Sequence, residues 1–165
     1  MTAINDLATL AVADVASGDY LPIYDASAST DKKTALFASG TWTPVLAFGG
    51  SSVGIAYGTQ TGQYTRVGKI VWVSALIVLT SKGSATGVAT VSGLPVAVAD
   101  VSVVFPCLGF SLGASVSAIS GLAVVGGSAI NLYYTPAAGD AGYLSLTNTQ
   151  AGNSSIIYIS GVYKA

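Results

Sequence analysis

Apolar residues recur along this chain in short runs, separated by clusters of Gly, Ser, Pro and Asn, and no stretch keeps the 3.6-residue spacing of an amphipathic helix. The runs are rich in Val, Ile, Thr and Tyr, the residues that suit a pleated, half-buried surface. The clearest is Lys69-Ile70-Val71-Trp72-Val73-Ser74-Ala75-Leu76-Ile77-Val78-Leu79-Thr80. Both of its alternating sets are apolar, which predicts a central strand covered on both faces. Further strands are predicted from Tyr57 or Gln63 to Val67, Val88 to Val91, Val101 to Phe105, Leu108 to Leu112, Ala129 to Tyr134, Gly142 to Leu146 and Ser155 to Tyr163. Strands at this spacing predict an all-β fold, a β-sandwich of jelly-roll-like character over residues 40–165.

Residues 1–39 follow a different pattern. They hold Pro22 and the patch Asp19-Tyr20-Leu21-Pro22-Ile23-Tyr24-Asp25, with too few apolar positions for a core of their own. The expectation is an extended N-terminal arm that anchors to something, through Tyr20, Leu21, Pro22, Ile23 and Tyr24. Charge is segregated in the same way. The arm carries five Asp against Lys32 and Lys33, net −3, whereas the remainder carries four cations against Asp100 and Asp140, net +2. Neither part clusters Lys and Arg as a phosphate backbone requires, so nucleic acid is not an expected partner.

Only 8% of the residues are charged, against about 25% in an ordinary soluble domain. A lone subunit this poor in charge exposes much apolar surface, which implies burial against other copies or other proteins. Trp42, Ile70, Trp72 and Ile77 are the expected core or subunit-interface residues.

Catalytic material is scarce. There is no His and no Glu, so the usual serine and cysteine nucleophile mechanisms lack their base and the usual zinc sites their ligands. Asp100 and Asp140 lie forty positions apart beside turn residues, a poor match to the paired carboxyls of a glycosidase. Gly62-Gln63-Tyr64-Thr65-Arg66-Val67-Gly68-Lys69-Ile70 departs from a phosphate-binding loop: it has five residues between the glycines, and Ile70 stands where a magnesium-binding hydroxyl belongs. No enzyme activity and no cofactor are therefore expected. Cys107, alone within Phe105-Pro106-Cys107-Leu108, reads as a buried packing residue. Residues 101–139 carry no charge, but Pro106 and repeated glycines cut them into strand-length pieces, so membrane insertion is not expected. The N-terminus lacks the basic start and apolar stretch of a signal peptide, giving an expectation of synthesis in the cytoplasm.

Tyr is frequent in the last third, where Tyr133, Tyr134, Tyr143, Tyr158 and Tyr163 accompany Asn131, Asn148, Gln150 and Asn153. Aromatic rings beside amides suit a glycan surface, which makes Tyr133, Tyr143 and Asn148 candidate sugar contacts. Tyr is equally at home in strands and at subunit interfaces, and that structural reading stays open beside the first.

Several motifs carry a resemblance. Gly40-Thr41-Trp42-Thr43-Pro44-Val45-Leu46-Ala47-Phe48-Gly49-Gly50 resembles the opening of a β-domain found at the ends of phage and prophage tail-fibre and related virion proteins. Gly62-Gln63-Tyr64-Thr65-Arg66-Val67-Gly68-Lys69 is similar to its second strand, and Leu79-Thr80-Ser81-Lys82-Gly83-Ser84 to its turn. Val91-Ser92-Gly93-Leu94-Pro95 and Tyr158-Ile159-Ser160-Gly161-Val162-Tyr163 resemble its later strands. The likeness implies a homotrimeric β-sandwich on a virion surface, bound to other virion proteins of capsid or tail through the arm. Most members of that family form tips of long fibres, and these 165 residues carry no shaft. The expectation is therefore a capsid decoration or short head-fibre protein, with a tail-fibre-type module that binds host surface glycan as the alternative.

Overall fold

A computed structural model describes residues 20–25 and 30–35 by their backbone, together with residues 37–113, 115–137 and 142–165. The chain divides into two units, Met1–Ala38 and Ser39–Ala165. In the first, the patch read as an extended arm is folded back on its neighbour. Strand β1 (Tyr20–Asp25) pairs antiparallel with β2 (Thr30–Ala35), in a register that sets Tyr20 opposite Ala35 and Ile23 opposite Lys32.

Among the described residues the second unit is all-β, with ten strands in one sheet: β3 (Ala38–Trp42), β4 (Val45–Phe48), β5 (Ile55–Val67), β6 (Ile70–Lys82), β7 (Ala89–Ser92), β8 (Val103–Leu112), β9 (Val116–Ala123), β10 (Ala129–Pro136), β11 (Leu144–Ser145) and β12 (Ala151–Lys164). Their order is β3-β5-β6-β12-β8-β9-β10-β7-β4, with β11 beside β10. Strands β3 and β4 end that order on opposite sides, yet only residues 43 and 44 join them. Two residues span at most about 7 Å, so the antiparallel sheet has to curl until its two edges meet. Side chains close the seam. The Tyr57 hydroxyl on β5 accepts the Leu46 N–H at 3.0 Å and donates to the Leu46 carbonyl at 3.3 Å, and Gln60 Nε2 donates to the Pro44 carbonyl at 3.1 Å. Burial pushes the Tyr57 phenol above its ordinary pKa, an effect the backbone bond to Leu46 partly offsets.

The curl wraps one face of every long strand around a single core. Leu46, Phe48, Val71, Ile77, Phe105, Ile130, Leu132 and Ile157 are among its buried residues. Interior strand glycines leave room for the largest side chains: Gly62 lies under Trp42 and Gly161 under Phe105. The buried polar residue among those described is Ser155, at the register shift of β12. Its hydroxyl accepts the Gly152 N–H at 2.7 Å and donates to the Ser111 carbonyl at 3.0 Å, so it closes the bulge without leaving a polar group unpaired.

The structure corrects three expectations. The long strand β6 sits between β5 and β12, but it is covered on one face only: Val71, Val73, Ala75, Ile77 and Leu79 are buried, while Ile70 and Trp72 are exposed. Within the subunit, then, Ile70 and Trp72 are not core residues, whereas Trp42 and Ile77 are. The two strands predicted on either side of Pro106 are one, β8. The β8–β12 ladder ends at the Cys107–Ile159 pair, so the N–H that proline lacks falls just past the paired stretch. Strand β9, Val-Ser-Ala-Ile-Ser-Gly-Leu-Ala, is missing from the sequence expectation because its small residues have weak strand preference; burial between β8 and β10 decides it. Among the described residues, no helix is long and apolar enough to cross a membrane.

Candidate functional site

Because strand side chains alternate, the faces of β6, β12 and β8 turned away from the core form one continuous surface. From β6 it takes Ile70, Trp72, Ser74, Leu76 and Val78, from β12 Ile156, Tyr158, Ser160 and Val162, and from β8 Val104, Pro106, Leu108 and Phe110. None of these carries a charge. Trp72 is 45% exposed and Leu108 57%, values that a lone Leu on a protein surface would not make notable but a whole row of neighbours does.

Register gives the surface relief. Trp72 pairs with Val162, Ser74 with Ser160, and Leu76 with Tyr158, which in turn pairs with Leu108. Two ridges of large side chains thus flank a row of small ones. Hollows of about 180, 210 and 340 Å³ lie along that furrow, and Ser74 lines all three. Phe110 and Tyr158 meet edge to face, with ring centroids 6.3 Å apart, so the second ridge is held in place before anything docks on it.

Among the described residues, charges stand at the ends of this surface. At one end, Lys164 and Asp100 form an exposed ion pair, and the hydrogen bond from the ammonium holds the Asp100 carboxyl below its ordinary pKa. Lys69, in the β5–β6 turn, is near enough for its charge to favour the same carboxylate. At the other end, the Lys82 ammonium donates to the Asn148 carbonyl at 3.0 Å. Asp100 is thus an exposed ion-pair member; Asp140 lies outside the described residues.

The three candidate sugar contacts do not converge. Tyr133 and Tyr143 line one hollow of about 330 Å³ with Val104, Ser120, Gly121 and Leu122. Asn148 serves the chain itself: its Oδ1 accepts the Gly87 N–H at 2.9 Å and helps fix the loop before β7. Of the expected anchoring residues Tyr20, Leu21, Pro22, Ile23 and Tyr24, the structure establishes the strand and its pairing with β2. Cys107 is largely buried, and that burial pushes its thiol up to about 12, so it is a poor nucleophile.

Matches to known proteins add nothing to this picture. The chain matches no family model and no curated protein.

Residues that sequence reasoning missed on this surface are Val104, Leu108, Phe110 and Val162; Tyr158 was among the tyrosines open to an interface role. A signal for β6 was present: both of its alternating sets are largely apolar, although a curled sheet covers only one of them within the subunit.

Proposed function

We propose that this protein is a non-enzymatic structural protein displayed on a bacteriophage particle, acting as a homotrimeric capsid decoration or short head-fibre protein. The observation that carries the assembly part of this reading is the uncharged apolar face of β6, β12 and β8. A soluble subunit that leaves such a face in water invites aggregation; the same face covered by protein contributes cohesion. The virion part rests on the motifs at residues 40–50, 62–69 and 158–163, which resemble phage fibre-end domains, and on that basis the curled sheet is read as a jelly-roll-like sandwich.

The N-terminal unit is the proposed anchor. A two-stranded sheet is marginal in water by itself, so the β1–β2 hairpin gains stability from a surface to lie against, and residues 1–39 that contain it differ from the body in carrying net −3. Deleting residues 1–38 is expected to abolish co-sedimentation with particles while leaving a folded trimer. Undiminished particle binding by the truncated protein would remove the anchoring role.

The alternative, a tail-associated module that recognises host surface glycan, is favoured by the hollow between Tyr133 and Tyr143, whose apolar lining suits the C–H face of a sugar. A glycan array probed with the purified trimer separates the two readings, since a decoration protein gives no saturable signal for any sugar.

A further inference from the structure

The structure points to a second copy of this chain as the occupant of the outer face, and we infer that the Trp72–Val162 ridge of one subunit seats in the Ser74–Ser160 furrow of the next. This rests on the reading of the protein as an assembly and goes beyond it by naming the contact.

Three observations support it. The first is extent. Trp72, Val104, Leu108, Phe110, Tyr158 and Val162 are all exposed on three adjoining strands, a contiguous spread of the kind that a specific interface of roughly 800 Å² per partner covers. The second is relief. The ridges at Trp72 and Leu76 lie four residues apart on one strand, about 13 Å, which leaves the Ser74–Ser160 row wide enough to admit an indole or phenol ring. Ridge and furrow occur on the same face, so one copy supplies both halves of the fit. The third is electrostatic. A partner for this face has to be apolar and uncharged over the same extent, because a charged group pressed into it would be buried without a counter-ion. This chain carries such a face itself, with the Lys164–Asp100 pair at one end and Lys82 at the other.

The edge-to-face pair of Phe110 and Tyr158 lowers the cost of association, since these rings are already ordered in the subunit.

The test uses the full-length chain and its mass in solution by size exclusion with light scattering. Ser160→Asp and Ser74→Asp each place a charge in the furrow at an exposed position, so the subunit is expected to keep its strand signature and a cooperative melt. Association is expected to weaken at least about 100-fold, and both variants to elute as monomers at micromolar concentration. Ser52→Asp, in the β4–β5 turn, is expected to stay assembled. An assembled wild type together with assembled Ser160→Asp and Ser74→Asp overturns the furrow contact while leaving the assembly reading intact. A monomeric wild type overturns both. Variants that stay assembled but no longer bind particles would assign the furrow to a different virion protein and equally overturn the inference.

Discussion

Replacing Trp42 with alanine is expected to destabilise the fold by about 3–5 kcal/mol, and to do so at every protein concentration. Trp42 is only 7% exposed, its indole N–H donates to the Gln63 carbonyl at 3.2 Å, and its ring fills the space above Gly62, where an added Cβ would come within 2.5 Å of Nε1. It stands on β3, the strand that reaches β4 through residues 43 and 44, so its loss opens a cavity at the seam where the curled sheet closes on itself. Urea denaturation checks it: the midpoint should fall with little change in slope. Trp72→Ala is the contrast. In the Ser160→Asp background, where the subunit is expected to stand alone, it should change stability by less than about 1 kcal/mol. A midpoint unmoved by Trp42→Ala would mean that β3 does not close the core.

The second large effect is expected from Gly161→Val. An added Cβ at position 161 would lie 2.6 Å from Cδ1 of Phe105, and Phe105 is 0% exposed, so it has nowhere to retreat. Phe105 also meets Tyr163 edge to face, at 6.0 Å between centroids. The Tyr163 hydroxyl donates to the Val96 carbonyl at 2.8 Å and accepts the Val96 N–H at 3.4 Å, which ties the loop after β7 to β12. Displacing Phe105 therefore disturbs that clasp as well, and a loss of about 3 kcal/mol or more is expected, at or beyond the top of the usual overpacking range. Because the damage is steric, Phe105→Ala should recover part of it, and the double variant should be more stable than the sum of the two single losses implies. Strict additivity would show that Gly161 and Phe105 do not share that space.

Much of the fold was legible because it rests on local pattern. β6 and β12 announce themselves through Val, Ile and Tyr. What was not legible depends on partners far away in sequence. β9 is a strand because of its neighbours, β8 passes through a proline because its pairing with β12 stops there, and the Tyr57–Leu46 seam joins strands at opposite ends of the sheet order. The same limit governs the outer face. Sequence shows that both sides of β6 are apolar, and its aggregate charge poverty implies burial against something. Only the curl decides which side the subunit covers for itself and which is left for a partner. Trp42 and Trp72 illustrate this: one is buried at the seam and the other stands on a ridge.

The most direct measurement of the central proposal is immunogold electron microscopy of intact particles, with antibody raised against residues 41–165. Gold on the particle surface, spread over the head, is the result expected of a decoration or head-fibre protein; gold confined to the tail would transfer the function to host recognition. Particles that remain unlabelled, although the producing cells contain the protein, would contradict a place on the virion altogether.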